Sequence, residues 1–465
     1  MPSGADVDAS TDGGQQVVNA ESASHGSEWL ATSLLSLPLG LAALLIGAHF
    51  LRQGDIGLVA ACLASPAVLV LRRRWVPAVL TVLALAAAVV WVDTAADLAL
   101  IRGAHGMPWR RAAAIIGGVA LVTALAPLVF RTEVMRRRFA LGSGAPWIGA
   151  GAFLGTAVLT GVVQVVVASP MLLAERLAPG AGWIEVLALS VYAALVAELL
   201  LDPARQPIWR LRIWTFFSVV FFGQLALGIA GVDELLMTGR LHVPVPAVIV
   251  AGPVFRGEGF FMAALFAVTL VLVGPAWCSH LCYFGAWDGL LARPWRRSRS
   301  LPRWSAWVRV ASLAGVVVVA WLLRALGASG AVAAGLALAF GAVGVATMVF
   351  VTRRWGTMFH CAVFCPLGLL ADVLGKVSPF RLRIGDGCTE CLSCARACRY
   401  GALPLEAVRR RRPALTCSLC GDCVGACKDG QIDYRLLGLH RPWVRSLFVV
   451  TVVTLHTVFL GVARG

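Results

Sequence analysis

Twelve of the thirteen cysteines stand in four compact groups, and each group repeats a spacing found in one other. Cys388, Cys391, Cys394 and Cys398 read C-x2-C-x2-C-x3-C, and so do Cys417, Cys420, Cys423 and Cys427. Cys278 and Cys282 read C-x3-C-x2-G, closed by Gly285, and Cys361 and Cys365 repeat this with Gly368. Thiolates this close together in short loops suit ligation of a soft metal better than disulfide stapling, which usually joins distant segments. Cys62 stands alone in an apolar run and reads as a small buried hydrophobe.

The first spacing is the more specific. Three thiolates at intervals of three converge on one iron–sulfur cube, and the fourth turns away. In two-cluster ferredoxins that fourth cysteine completes the other cube. The predicted ligand sets are therefore Cys388, Cys391, Cys394 and Cys427 for one [4Fe–4S] cluster, and Cys417, Cys420, Cys423 and Cys398 for the other. The duplication extends beyond the ligands, because Cys398 to Leu403 and Cys427 to Ile432 both fit C-x-x-G-x-[Leu/Ile]. Arg399 and Lys428 stand where a proline often follows. Zinc is the alternative for any four thiolates, but zinc ribbons usually set two C-x2-C pairs further apart.

The C-x3-C pairs lie 83 residues apart in sequence. A spacing of i, i+4 places two thiols on one helix face. If the pairs meet, Cys278, Cys282, Cys361 and Cys365 could hold a metal ion or a further cluster. The pairs read as copies within a repeat of two helices, so a shared site on a pseudo-twofold axis is expected. The plainer alternative is four cysteines that merely pack. His280 and His360 are adjacent and read first as interfacial histidines.

The rest of the chain must carry these groups. It is 59% hydrophobic and 14% charged, too little charge to cover a soluble protein of 465 residues. About eleven apolar runs are expected to cross a membrane as helices: 29–51, 56–71, 75–92, 112–130, 147–169, 183–201, 213–232, 260–277, 310–323, 331–351 and 446–462. The net charge of +16 comes from arginines clustered between these runs. With the N-terminus inside, sixteen arginines fall in inner loops and eight in outer ones, as the positive-inside bias requires. The cysteine-rich insert then faces the cytoplasm, where thiols stay reduced. No basic stripe is interleaved with stacking aromatics, so nucleic-acid binding is not expected.

The fold expected is an all-α polytopic membrane protein with a small α+β ferredoxin-like insert. Its predicted parts are a disordered cytoplasmic tail (1–28), a six-helix region of unassigned role (29–204) and a four-helix region with both C-x3-C pairs (205–380). The double-cubane domain (381–440) and a last transmembrane helix (441–465) follow. Pro244, Pro246 and Pro253 mark a short re-entrant or interfacial segment. Glu185, Glu198 and Asp202 are acids on or beside one span. His456 lies in the last span without a visible second axial partner for haem.

From span seven to Ile432 the chain resembles the membrane polyferredoxins of the NapH, NosR and CcoG type. The resemblance rests on a helical membrane part, two C-x3-C-P motifs and a double-cubane insert. Cys361, Cys365 and Pro366 match the second motif fully, whereas Tyr283 replaces the proline of the first. It covers roughly half of the chain. It implies a bacterial cytoplasmic membrane protein that passes electrons between a quinone pool, or another membrane donor, and a redox partner. An assembly factor that reduces copper or a disulfide is the alternative, and an iron–sulfur redox sensor a third.

Overall fold

The computed structural model describes residues 11–140, 145–236, 243–293 and 298–462, with side chains from residue 31 onward. Arg240, Arg296 and Arg297, used above for orientation, lie outside the described residues, as do residues 1–10 of the expected tail. From Thr11 the backbone is helical, continuous with the first span to Gln53.

Among the described residues, ten helices are long and apolar enough to cross a membrane, beside the eleven expected. The spans that looked short in sequence come out as Ser305–Ala325 and Trp443–Val462, at 21 and 20 residues. Ile56–Val70 falls short. It has nine α-helical residues and then six in a tighter 3-10 helix that begins at Ser65-Pro66. The tighter helix rises further per residue, so the segment still reaches roughly 25 Å. At its end Arg138 Nη2 donates to the Leu69 carbonyl at 3.3 Å, and Arg74 Nε to that of Ala140 at 2.8 Å. The two arginine clusters therefore share one end of this helical group.

The chain forms two compact units, Met1–Ala150 and Gly151–Gly465. A boundary near residue 204 was expected. It lies earlier because Gly182–Leu201 packs along the last helix, Trp443–Val462, and so joins the cysteine-bearing unit. In that last helix Val444, Phe448, Val449, Val452 and Val453 are all buried. The proline-marked segment contains a nine-residue helix, Val248–Arg256, packed against Ser305–Ala325.

The insert's sheet has two antiparallel strands, β1 (Phe380–Ile384) and β2 (Ile432–Leu436), with Leu382 opposite Tyr434. Alternate residues Phe380, Leu382 and Ile384 are buried, as a half-covered strand requires. Phe448 of the last helix meets Tyr434 and Phe380 with ring centroids 4.5 and 5.2 Å apart. The strands thus seat the insert on the apolar helices.

Candidate metal centres

The two halves of the insert fold alike, residue for residue. Ser393–Ala397 and Asp422–Ala426 are short helices that begin five residues after Cys388 and Cys417. Left-handed backbone recurs at matched offsets, at Glu390 and Leu419, Leu392 and Gly421, and Gly401 and Gly430. Such turns cost energy for any residue with a Cβ, and here they curl each loop around its sulfurs. The fourth cysteines are treated identically too. Cys398 Sγ accepts the Ala402 N–H and Cys427 Sγ the Gln431 N–H, both at 3.3 Å and both four residues on.

Within the insert, cysteines of the two loops lie within electrostatic reach of one another. Burial pushes the Cys394 thiol up to about 11, and Cys427, Cys388 and Cys391 add to the rise. Cys423 is raised well above the ordinary thiol range by burial, then by Cys420, Cys398 and Cys417. Each four-cysteine set is therefore drawn together across the pseudo-twofold. The second, inner set lines a small cleft together with Leu382, Tyr400 and Leu403. Burial lifts Cys417 up to about 12, so four bare thiolates would be strongly opposed there. Four thiolates there would need positive charge beside them, and the irons of a cluster held by these cysteines would supply it. The first, outer set differs in exposure: Cys391 is exposed, and Cys388 and Cys427 are half-buried.

The C-x3-C pairs also meet. The Cys361 thiol is raised by burial and further by Asp288, Cys365, Cys282 and Cys278. The expected helix-face geometry is corrected, however. Trp277–Leu281 and His360–Phe364 are single π-helical turns, and Cys282 and Cys365 lie just past them in extended backbone. Each second cysteine can therefore take N–H bonds from the chain that follows, Cys282 from Gly285 and Phe284 and Cys365 from Gly368 and Leu367.

The shared glycine now has a reason. A Cβ on Gly285 would stand 3.0 Å from the Cys278 carbonyl oxygen, and one on Gly368 2.5 Å from that of Cys361. We predict that Gly368→Ala displaces the Cys361 turn and lowers metal retention at this centre, while the insert keeps its own iron. Equal iron content and spectra in the variant would count against it.

Two acids complete this centre, and sequence reasoning missed both. Asp288 is fully buried and accepts the Cys361 N–H at 2.9 Å and the Thr352 hydroxyl at 2.6 Å. Burial pushes it up to about 6. Asp372 pairs with Arg309, and burial lifts it likewise to about 6. The signal was present in sequence as a lone acid six or seven residues past each C-x3-C pair.

The centre is recessed. The His360 ring packs against Gly344, roughly 16 Å of helical rise before the end of the Gly330–Trp355 helix. His360 lies between Phe284 and Phe364, and His280 uses Nδ1 on Ser279 Oγ and the Ala276 carbonyl. Tyr283, in the place of the motif's proline, stacks on Phe221 at 3.9 Å.

Two stretches of the chain, 255–302 and 335–385, match a family model described as a 4Fe-4S binding domain. Each contains one C-x3-C pair. The match supports an iron–sulfur protein. No curated protein and no solved structure matches the chain. Among the described residues, no three His, Cys, Asp or Glu side chains close tightly enough to hold a metal ion.

Other singled-out residues have structural partners. Glu185 accepts the Ala174 N–H at 2.6 Å and Asp202 that of Ala204. His456 bonds the His280 carbonyl through Nδ1 at 2.9 Å and faces the Tyr192 hydroxyl with Nε2. Both of its ring nitrogens are thereby engaged.

Proposed function

We propose that this is a membrane-bound electron-transfer protein with two [4Fe–4S] clusters in its insert and a third redox centre at the C-x3-C pairs. The observation that carries this is the adjacency of the three cysteine sets, ending at an exposed thiol. The recessed four-thiol centre adjoins the buried inner set, and the inner set adjoins an outer set whose Cys391 reaches the surface. The clusters would supply reversible one-electron storage.

The chain's own residues do the rest. Leu382, Tyr400 and Leu403 shield the inner set from water, and backbone N–H groups stabilise charge on Cys398 and Cys427. Asp288 and Asp372 hold negative charge, or a proton, beside the recessed thiols. The ten apolar helices suit a multi-pass protein of the bacterial cytoplasmic membrane, with a hydroquinone as the donor class. A soluble redox protein meeting Cys391 would be the partner.

The test is hydroquinone-dependent cluster reduction in liposomes, on anaerobically purified protein containing at least about eight irons. Bound zinc without acid-labile sulfide would remove the reading. A reporter placed after Gly430 should read cytoplasmic. A periplasmic signal there would put the insert on the wrong side for this function.

A second reading is a reductase for copper or a disulfide, acting at the C-x3-C pairs. Its support is that Cys361 and Cys365 are only half-buried, whereas Cys278 and Cys282 are buried. Copper reduction that depends on Cys361 and Cys365, without hydroquinone turnover, would favour it.

A further inference from the structure

Two hydrogen bonds join the recessed thiol centre to the inner set of the insert, and they start from adjacent residues. The Tyr400 hydroxyl donates to the Cys278 carbonyl at 3.5 Å, and the Ser279 hydroxyl to the Ser418 carbonyl at 3.1 Å. Cys278 belongs to the recessed centre. Tyr400 follows the inner ligand Cys398 by two residues, and Ser418 follows the inner ligand Cys417 directly.

Tyr400 is the larger of these bridges. It is 4% exposed, and its hydroxyl interacts electrostatically with Cys361 and Cys278 on one side and with Cys420 and Arg210 on the other. Its ring also lines the inner cleft. The pseudo-twofold supplies an internal contrast. The matching position in the second half is Asp429, which is exposed and accepts the Thr389 hydroxyl at 2.8 Å. Of this matched pair, the buried aromatic stands where the insert meets the recessed thiols, and a solvated acid stands at its outward counterpart.

We propose that the Tyr400 side chain is the conduit for electrons between the recessed four-thiol centre and the inner cubane. This rests on the reading that the recessed centre is redox-active. One electron passes per event, no bond forms or breaks, and the phenol keeps its proton. Its burial and its bond to a neutral carbonyl both oppose the phenolate. The ring acts by spanning the gap as one rigid, conjugated group, which neither leucine nor a flexible methionine chain reproduces, since electronic coupling falls far more steeply across empty space than through matter.

The experiment uses the full chain in nanodiscs, photoreduced by a flavin, with re-equilibration followed by cubane absorption and freeze-quench electron paramagnetic resonance. A reductive titration counts electron equivalents first. In Tyr400→Phe, which keeps the ring, transfer between the centres should match the unaltered protein. In Tyr400→Leu the fast phase should be lost, while the potentials and spectra of both cubanes stay unchanged. Tyr400→Met, which fills similar volume without a ring, serves if the leucine variant loses a cubane, and it should also lose the fast phase.

A leucine or methionine variant with its fast phase intact would overturn the proposal and leave the third centre standing. Loss of that phase in Tyr400→Phe would overturn conduction through the ring and place it on the hydroxyl. If the unaltered protein takes up only the equivalents of two cubanes, the third centre and the conduit fall together.

Discussion

Replacing Cys361 and Cys365 together by serine is expected to abolish electron throughput from a hydroquinone while both insert cubanes keep their spectra. These thiols stand between the apolar helices and the insert, in a centre recessed along the Gly330–Trp355 helix. Serine preserves side-chain size but offers a hard, weakly acidic oxygen where a soft thiolate is needed. Replacing Cys278 and Cys282 should give the same phenotype, because the pairs share one centre: Asp288, which follows the first pair, accepts the N–H of Cys361 in the second. The insert is the internal control, since its ligands lie on separate loops with their own N–H···S bonds. Iron content and throughput should fall alike in the two double variants. Normal throughput and unchanged metal content in both would reduce these four cysteines to packing residues.

The insert was largely legible in sequence, because a ligand spacing fixes local geometry. The C-x-x-G echo that became a left-handed Gly401 and Gly430 followed from spacing alone. The recessed centre was only half legible. Repeated C-x3-C-x2-G marked it, but i, i+4 on an α-helix was the wrong geometry. A π-turn widens the helix and then releases Cys282 or Cys365 into extended chain. Nothing local in sequence signals that widening. Asp288 and Asp372 were visible in sequence only as lone acids after each pair, because their meaning depends on which distant thiol they face. At Ile56–Val70 the tighter helix from Ser65-Pro66 lets fewer residues cover the same length, which a count of apolar residues does not show.

Arg210 was read only as one of the inner arginines, yet it is the strongest polar tie between the helices and the insert. Its Nε and Nη2 grip Asp422 at 2.9 and 2.6 Å, and Nη1 donates to the Ser279 carbonyl at 3.1 Å. Both side chains of the pair are below one-tenth exposed. Asp422 lies between Cys420 and Cys423, so this pair holds the inner loop against the Gln206–Ile229 helix. Arg210→Met keeps the apolar stem but leaves Asp422 buried without its cation, a change that costs about 3–5 kcal/mol in comparable pairs. The expected outcome is faster hydrogen exchange over residues 417–427 and loss of the inner cubane's signal to a chelator, with the outer cubane retained. Arg210→Lys should fall between, because one ammonium cannot reproduce the two-pronged grip and the Ser279 bond together. Removing both charges, as Arg210→Met with Asp422→Leu, should restore much of the protection, because the penalty lies in the orphaned carboxylate. If Arg210→Met leaves exchange and chelation unchanged, the seat of the inner loop is the apolar contact of Tyr434 and Phe448 alone, and the ion pair does not hold it.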